Sequence, residues 1–305
     1  MAEIKKILIA NRGEIVQRAV RTIREMGKKS VAVYSAGDKN ASYLKHADEA
    51  VCIGGAKSKD SYLNIPAIIT AAEMTGCDAI FPGYGFLSEN QDFVEICRLH
   101  NIKFIGPSVE VMEKMADKSK AKEEMIRAGV PVVPGSKGSV HSVTEGKKVA
   151  LEIGYPIMAK AAAGGGGRGM RLIHDESEFD QLFMAASSEA LAAFGDGTMY
   201  LERFINNPRH IEVQVVGDSH GNAIHIGERD CSLQRRHQKV IEESPAILLN
   251  DETRAKLHDV AVKATKYLKY EGAGTFEFLA DDKQNIFFME MNTRLQVEHP
   301  VSEMV

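Results

Sequence analysis

Short apolar runs and amphipathic segments alternate along the first hundred residues. The apolar runs predict four strands, in "KKILIA" (5–10), "KSVAVYS" (29–35), "DAIFPG" (78–83) and "KFIG" (103–106). The segments between them predict helices, in "GEIVQRAVRTIREMG" (13–27), "IPAIITAAEMTG" (65–76) and "NQDFVEICRLHN" (90–101). This alternation is typical of a parallel sheet with helices on its faces, which places ligands at the loops 10–15 and 82–90. Tight turns that only pack strand against helix explain the glycines of these loops equally well.

The pattern changes after residue 105. A charged segment, "GPSVEVMEKMADKSKAKEEMIRAGVPVVPGS" (106–136), predicts a helix closed by Gly129 and Pro131. A compact unit follows as far as Phe204 and contains a helix at "ESEFDQLFMAASSEALAAF" (176–194). From Ile205 onwards the pattern predicts strands and hairpins with one helix, at "DETRAKLHDVAVKATKYLKY" (251–270). The sequence therefore predicts an α/β fold with a second, more antiparallel part.

The stretch "AKAAAGGGGRGMRLI" (159–173) places four consecutive glycines between two apolar runs. Gly164, Gly166 and Gly169 satisfy G-x-G-x-x-G, but that fingerprint requires a strand before it and a helix after it. Here "YPIMAKA" (155–161) and "MRLIHD" (170–175) both predict strands, so a hairpin tip is favoured over a dinucleotide turn. Consecutive glycine N–H groups form an anion nest, and such a tip can close over a polyphosphate. A hairpin that binds nothing is the alternative, and glycine count alone does not separate the two.

Polar side chains alternate with apolar ones in "AGTFEFLADDKQNIFFMEMNTRLQVEHP" (273–300). Glu277 on one strand, and Glu290 and Asn292 on the next, face away from the apolar side of their strands. Two facing carboxylates repel unless a cation lies between them, and oxygen ligands suit Mg²⁺. If the strand stays extended, the same face continues through Arg294, Gln296 and Glu298. A face that is only solvated is the alternative.

Lysines and histidines add weaker signals. Lys160 ends the strand that enters the glycine segment, where its ammonium would meet bound phosphate, whereas Lys118 gains nothing from its position in "ADKSKAKEE". Glu202 ends a strand beside an apolar patch, which fits either an adenine contact or a plain connector. His210 and His237 lie among charged residues without metal-ligand spacing.

Composition narrows the class of protein. A chain of 305 residues with 44% hydrophobic residues can bury a sizeable core and form about two domains. The net charge of -4 argues against non-specific binding of nucleic acid, so the basic run "RRHQKV" (235–240) is interpreted as a local anion site. Four scattered cysteines favour reduced, buried thiols and a cytoplasmic location. No apolar run reaches the roughly 20 residues of a membrane span, and the start of the chain lacks the pattern of a signal peptide.

Taken together, these residues resemble the biotin carboxylase family of the ATP-grasp superfamily. The resemblance covers essentially the whole chain and is carried by the following stretches, in order: "ILIANRGEI", "PGYGFLSEN", "FIGPS", "GVPVVPGS", "AAAGGGGRGMR", "NPRHIEVQV", "GERDCSLQRRHQKVIEESPA" and "MEMNTRLQVEHPVSE". It implies ATP-dependent activation of bicarbonate as carboxyphosphate, followed by transfer of the carboxyl group to biotin on a carrier protein. Phe81 and Arg203 stand where the family more often has histidine and lysine.

The resemblance also implies a role for each matching residue. The expected ATP-binding residues are Lys118, Lys160, Gly165, Gly166, Glu202, Arg203, Phe204, Ile205, His210, Gln234 and His237. Glu277, Glu290 and Asn292 are expected to bind Mg²⁺ or Mn²⁺, in agreement with the alternation above. Bicarbonate is expected at Lys239, Arg294, Gln296 and Val297. Glu298 is expected to be the general base, with Lys239 and Arg294 as further catalytic residues, because phosphoryl transfer depends on cations and positioning.

The implied architecture is a Rossmann-like N-terminal domain (1–115) followed by an ATP-grasp domain (116–305) whose lid covers residues 131–204. Implied partners are a biotin carboxyl carrier protein, a carboxyltransferase and a second copy in a homodimer, as in acetyl-CoA carboxylase of fatty acid biosynthesis. The resemblance does not decide whether the final acceptor of the carboxyl group is acetyl-CoA, another acyl-CoA or pyruvate. Family members are longer, so we expect this chain to be part of a longer protein.

Three alternatives remain at this stage. Other ATP-grasp ligases, such as carbamoyl phosphate synthetase and the D-alanine ligases, share the ATP and Mg²⁺ chemistry, although "RRHQKV" and "RLQVEHPV" favour biotin carboxylase. A fragment that binds ATP without turnover is the second. Nucleic-acid binding is the weakest, and salt-sensitive binding would be its signature.

Overall fold

The computed structural model describes residues 3–162, 169–235 and 238–305, the side chain at position 119 excepted. Contacts divide the chain into two units. The first comprises residues 1–129, 211–277 and 290–305, and the second comprises residues 130–210 and 278–289. The alternating pattern of the first hundred residues lies in the first unit and the glycine hairpin in the second.

A parallel five-stranded sheet opens the first unit, in the order β3-β2-β1-β4-β5. Its strands are β1 (Lys6–Ile9), β2 (Lys29–Tyr34), β3 (Glu49–Cys52), β4 (Ala79–Phe81) and β5 (Lys103–Phe104). Three helices alternate with them, α1 (Glu14–Glu25), α2 (Ile65–Met74) and α3 (Gln91–Leu99). The predicted parallel sheet is confirmed, with one strand added. The pattern missed β3 because this edge strand is largely exposed and has no apolar run.

The charged segment forms two helices, so the prediction of one helix is wrong. They are α4 (Val109–Ala116) and α5 (Lys118–Arg127). Asp117 between them has an extended backbone, with φ −89° and ψ 117°, which interrupts the helical path. Its carboxylate accepts a hydrogen bond from the Lys120 N–H at 3.0 Å, as a helix cap does, so that Lys118 begins the second helix.

The second unit contains the two strands that flank the glycine segment. Its elements are α6 (Val143–Ile153), β6 (Ile157–Ala161), β7 (Met170–Ile173), α7 (Glu176–Phe194) and β8 (Met199–Arg203). The three strands form an antiparallel sheet in the order β7-β6-β8. Phe179 and Phe183 of α7 stack in its core with ring centroids 5.3 Å apart. The flanking strands and the helix are therefore confirmed, whereas the glycines 164–167 lie outside the described residues.

The rest of the chain forms a second five-stranded sheet, ordered β11-β10-β9-β12-β13. Its elements in chain order are β9 (Arg209–Gly217), β10 (Ala223–Arg235), β11 (Gln238–Glu243), α8 (Asp251–Tyr267), β12 (Gly272–Ala280), β13 (Ile286–Asn292) and α9 (His299–Glu303). The expectation of one helix here is wrong, because α9 follows β13. With only five residues, beginning "HP", α9 is too short to show a helical period.

Three cysteines behave as the sequence predicts. Cys77, Cys97 and Cys231 are buried, and burial raises the pKa of Cys97 and Cys231 to about 12. Cys52, at the end of the edge strand β3, is exposed, so its predicted burial is wrong. Within the described part of the chain, no helix combines the length and the apolar character that crossing a membrane requires.

A buried carboxylate fastens α8 to the second sheet. Glu228 on β10 accepts hydrogen bonds from Arg254 Nε at 2.8 Å and from the Ala246 N–H at 3.1 Å. Its other oxygen lies 2.7 Å from His258 Nε2. Burial alone raises the pKa of Glu228, but the bonds from His258, Arg254 and Ala246 outweigh it and lower the pKa from 4.5 to about 2.

Because that pKa is lowered in the folded state, the ionised Glu228 stabilises the fold at neutral pH. The contribution is present above pH 4.5 and is lost as the pH falls towards 2. We expect Glu228→Gln to lower the free energy of unfolding by about 2–3 kcal/mol at pH 7, and by much less at pH 3. Urea unfolding at both pH values checks this, with exposed Glu243→Gln on β11 as the control. An equal loss at both pH values would contradict the account.

Candidate functional site

Glu277 on β12 is one of the carboxylates that the alternation in residues 273–300 singles out. It is 4% exposed, and its Oε1 accepts a hydrogen bond from Asn292 Nδ2 at 2.7 Å. Gln296 Nε2 and Lys239 Nζ donate to the same oxygen, each at 3.1 Å. The structure thus brings together residues of β11, β12, β13 and the turn after β13.

The chain does not stay extended beyond β13, so the condition under which one strand face would continue through Glu298 is not met. The strand ends at Asn292, the backbone turns, and Glu298 is the N-cap residue of α9. The polar side chains converge all the same, because the turn folds them back towards the strand. Arg294 Nη2 donates to Asn292 Oδ1 at 3.1 Å.

Arg294 also contacts the loop that follows β4 of the first sheet. Its Nε donates to Glu89 Oε2 at 2.8 Å, and Glu89 Oε1 accepts from the N–H and the hydroxyl of Thr293 at 3.1 Å each. Glu89 belongs to the loop 82–90, which the sequence singled out as a place for ligands. In this structure the loop positions a guanidinium of the polar cluster.

Lys239 on β11 contacts three carboxylates. Its Nζ donates to Glu298 Oε1 at 2.7 Å and to Glu277 Oε1 at 3.1 Å, and it also forms a short bond to Glu212 Oε1. The lysine side chain is 20% exposed, and Glu298 is 10% exposed. Such a shared ammonium in a poorly hydrated place holds the three acids together at neutral pH.

Arg229 on β10 lies behind this lysine and is fully buried. Its guanidinium donates to Glu212 Oε2 at 3.0 and 3.3 Å, and to Gln296 Oε1 at 2.6 Å. Sequence reasoning missed both Arg229 and Glu212. For Glu212 a signal was present, since Glu212 and Gln214 alternate with Ile211, Val213 and Val215 along β9 as a polar face.

The residues around Glu277 fit a hard divalent cation. Glu277, Glu290 and Asn292 offer only oxygen ligands, and Asn292 already lies against Glu277. Lys239 and Arg229 supply two positive charges against the three carboxylates Glu212, Glu277 and Glu298. One negative charge is left in excess among these five groups, which favours a bound cation.

Other predicted residues of the first unit lie in more open positions. Glu290, two residues from Asn292 on the same face of β13, has its Oε2 3.7 Å from Lys118 Nζ. Lys118 is exposed, as is Val297 after the turn. Gln234 near the end of β10 donates through Nε2 to the Cys231 carbonyl at 3.0 Å.

The second unit brings two predicted residues together across its sheet. Lys160 Nζ of β6 donates to Glu202 Oε2 of β8 at 2.5 Å. Arg203 ends β8, Phe204 and Ile205 follow it, and the Phe204 N–H donates to the Pro156 carbonyl at 2.9 Å. His210 belongs to β9. Gly165, Gly166 and His237 lie outside the described residues.

We expect Lys239→Met to destabilise the fold, because it leaves the carboxylates without their shared cation. A loss of about 2–4 kcal/mol in the free energy of unfolding at pH 7 is expected from removing one partner of a buried charge cluster. Denaturant unfolding measures it, with Lys256→Met on the exposed part of α8 as the control. A loss no larger than that of the control would contradict the shared-cation geometry.

Two known protein families match different parts of this chain. The family described as "Biotin carboxylase, N-terminal domain" matches residues 3–112, and the family described as "Carbamoyl-phosphate synthase L chain, ATP binding domain" matches residues 117–305. The match over residues 117–305 identifies an ATP-binding domain. The match over residues 3–112 favours biotin carboxylase over carbamoyl phosphate synthetase and the D-alanine ligases.

Relatives of high sequence identity support the same family. A protein of Nostoc sp. named biotin carboxylase is 58% identical over 300 residues, which is 98% of this chain and 67% of that protein. The solved structure of a biotin carboxylase complex with "beta-gamma-ATP" from Campylobacter jejuni is 68% identical, with a TM-score of 0.87, over 99% of this chain and 68% of that one.

A further solved structure is the biotin carboxylase domain dimer of the Hydrogenobacter thermophilus 2-oxoglutarate carboxylase, in complex with MgADP, ADP and bicarbonate. It is 51% identical, with a TM-score of 0.84, over 100% of this chain and 67% of that one. The present chain thus spans about two thirds of the length of each of these proteins. With the parallel sheet, the ATP-binding domain and these identities combined, the chain belongs to the biotin carboxylase family.

Proposed function

We propose that this chain carries out ATP-dependent carboxylation of biotin with bicarbonate, through carboxyphosphate. The observation that carries the proposal is the contact of Lys239 with both Glu277 and Glu298, beside Gln296. A cation, an amide and a carboxylate base that lie this close together suit a small anion that must lose a proton. Bicarbonate has that chemistry.

In this proposal Glu298 is the general base. Its carboxylate takes the proton of bicarbonate, and the oxygen that is left attacks the γ-phosphorus of ATP as ADP departs. The Lys239 ammonium at 2.7 Å keeps a positive charge beside that carboxylate. The bicarbonate would be held by Lys239, Arg294, Gln296 and the backbone of Val297. Arg294 would also stabilise the anionic ureido oxygen that forms when biotin loses its proton.

The proposal assigns Mg²⁺ or Mn²⁺ to Glu277, Glu290 and Asn292. When bound, the ion would neutralise charge on the phosphates. The nucleotide itself is assigned to Lys118, Lys160, Gly165, Gly166, Gln234, His210 and His237, with the adenine at Glu202, Arg203, Phe204 and Ile205. The Lys160–Glu202 pair supports this assignment, because the pair holds an ammonium next to the strand end.

We further propose the domain division into residues 1–115 and 116–305, with a lid over residues 131–204. The proposed partners are a biotin carboxyl carrier protein, a carboxyltransferase and a second copy of the chain. The solved relative that is a domain dimer supports the last of these. Free thiols at four cysteines support a cytoplasmic location, and acetyl-CoA carboxylase of fatty acid biosynthesis is the assembly we favour.

We expect ATP hydrolysis with Mg²⁺ to depend on bicarbonate and to rise with free biotin. Glu298→Gln should lower this turnover by a factor of about 10²–10⁴, because the base is lost while the charge pairs around the nucleotide remain. Phosphate release measures turnover, and titration calorimetry measures ADP affinity, which should change little.

Glu303→Gln is the matched control, since Glu303 lies in the adjacent helix α9 and contacts Arg18 at 2.9 Å. Its turnover should equal that of the unaltered protein. Turnover that ignores bicarbonate would indicate a different ATP-grasp ligase. Nucleotide binding without any turnover would indicate a non-catalytic module.

A further inference from the structure

All five N–H groups of the buried Arg229 have acceptors. Nε donates to Glu212 Oε2 at 3.3 Å, Nη1 donates to Gln214 Oε1 at 3.0 Å and Nη2 donates to Glu212 Oε2 at 3.0 Å. Nη1 also donates to Ser302 Oγ at 2.8 Å, and Nη2 also donates to Gln296 Oε1 at 2.6 Å. A guanidinium has five donors in a fixed plane, so its orientation is fully determined by these partners.

This arrangement decides which end of the Gln296 amide faces which neighbour. A guanidinium only donates, so the amide atom 2.6 Å from Arg229 must be the oxygen. The amide nitrogen then faces Glu277 Oε1, a carboxylate oxygen that only accepts, at 3.1 Å. The reversed amide would set donor against donor and acceptor against acceptor. Arg229 and Glu277 thus select one orientation of a side chain that is 3% exposed.

The selected orientation matters for an anionic substrate. Gln296 Nε2 carries two N–H groups, of which Glu277 accepts one. An oxyanion such as bicarbonate needs a donor, and the carbonyl end of the amide would repel it. The orientation that Arg229 imposes is the one that lets Gln296 donate to bicarbonate.

Arg229 also reaches a second member of the proposed bicarbonate site. Glu212 bridges the two cations, since Oε2 accepts from Arg229 and Oε1 accepts from Lys239. Holding one carboxylate oxygen fixes the plane of Glu212 and hence the place from which Lys239 reaches Glu298. One buried guanidinium therefore positions both an amide and an ammonium.

We infer that Arg229 is a positioning residue for bicarbonate: it orients the Gln296 amide as a donor and, through Glu212, fixes Lys239. The inference rests on the proposed function, because it takes bicarbonate as the anion. Arg229 itself touches no substrate. Its effect should appear in the apparent affinity for bicarbonate and not in that for ATP.

The test is the KM for bicarbonate of Arg229→Lys, in ATP hydrolysis with Mg²⁺ and free biotin. Lysine keeps the charge opposite Glu212, but its single nitrogen cannot hold Gln214, Ser302 and Gln296 as well. We expect the KM for bicarbonate to rise about 10- to 100-fold, the size of a lost charge-assisted hydrogen bond, while the KM for ATP stays within about twofold. If Arg229→Lys only destabilised the fold, it would reduce the amount of active enzyme and leave the KM values for bicarbonate and ATP unchanged, which would contradict the inference.

Two further variants keep the inference falsifiable. Ser302→Ala removes one acceptor from Nη1 and leaves the charges in place, so it should fold and raise the KM for bicarbonate about two- to fivefold. In a Gln296→Ala background, Arg229→Lys should add less to that KM than it does alone, because both changes affect the same interaction.

Arg254→Lys is the matched control, because Arg254 forms the same kind of pair with the buried Glu228, at 2.8 Å, outside the cluster. It should lower stability without changing the KM for bicarbonate. If the unaltered protein shows no dependence on bicarbonate, the proposed function fails. If it shows that dependence and neither Arg229→Lys nor Ser302→Ala raises the KM for bicarbonate, the positioning role of Arg229 is wrong and the function stands.

Discussion

A guanidinium that is fully buried cannot donate hydrogen bonds to water, so the surrounding protein must provide an oxygen acceptor for each of its N–H groups. Arg229 is in that position, and β9, β12, the turn after β13 and α9 all meet the demand with Glu212, Gln214, Thr275, Gln296 and Ser302. Each of these side chains loses freedom by doing so. The strong cost of a buried charge without partners is therefore what fixes the polar centre of the second sheet, because any arrangement that leaves a donor unmet is destabilised.

The residues that bind Arg229 in turn position side chains that are more exposed. Glu212 and Gln296 hold Lys239 and Glu277, and these contact Glu298 and Asn292. Arg294 contacts Asn292 and is also bound by Glu89 of the loop 82–90. Residues with direct chemistry thus stand on a rigid, buried base, which is the preorganisation that an electrostatically driven phosphoryl transfer requires.

Much of this could be predicted from the sequence where period and chemistry agree. Alternation along β12 and β13 predicted that Glu277 and Asn292 share one face, where they contact each other, and the strands on both sides of the glycines were predicted correctly. The failures have physical causes. Strand β3 is too exposed to show an apolar run, and Asp117 breaks a helix that its neighbours favour. The turn after Asn292 follows from contacts with Glu89 and Glu277, which lie far away in sequence. Arg229 was missed because a charged residue inside a strand predicts exposure unless its partners, on other strands, are known.

The central claim is that this polar centre makes bicarbonate the nucleophile towards ATP. Transfer of label from ¹⁸O-bicarbonate to inorganic phosphate during turnover with free biotin tests it directly. If a bicarbonate oxygen attacks the γ-phosphorus, the bridging oxygen stays with phosphate when the carboxyl group moves on. The account predicts one ¹⁸O atom in each phosphate released. Phosphate without label, whose new oxygen comes from water, would contradict the account.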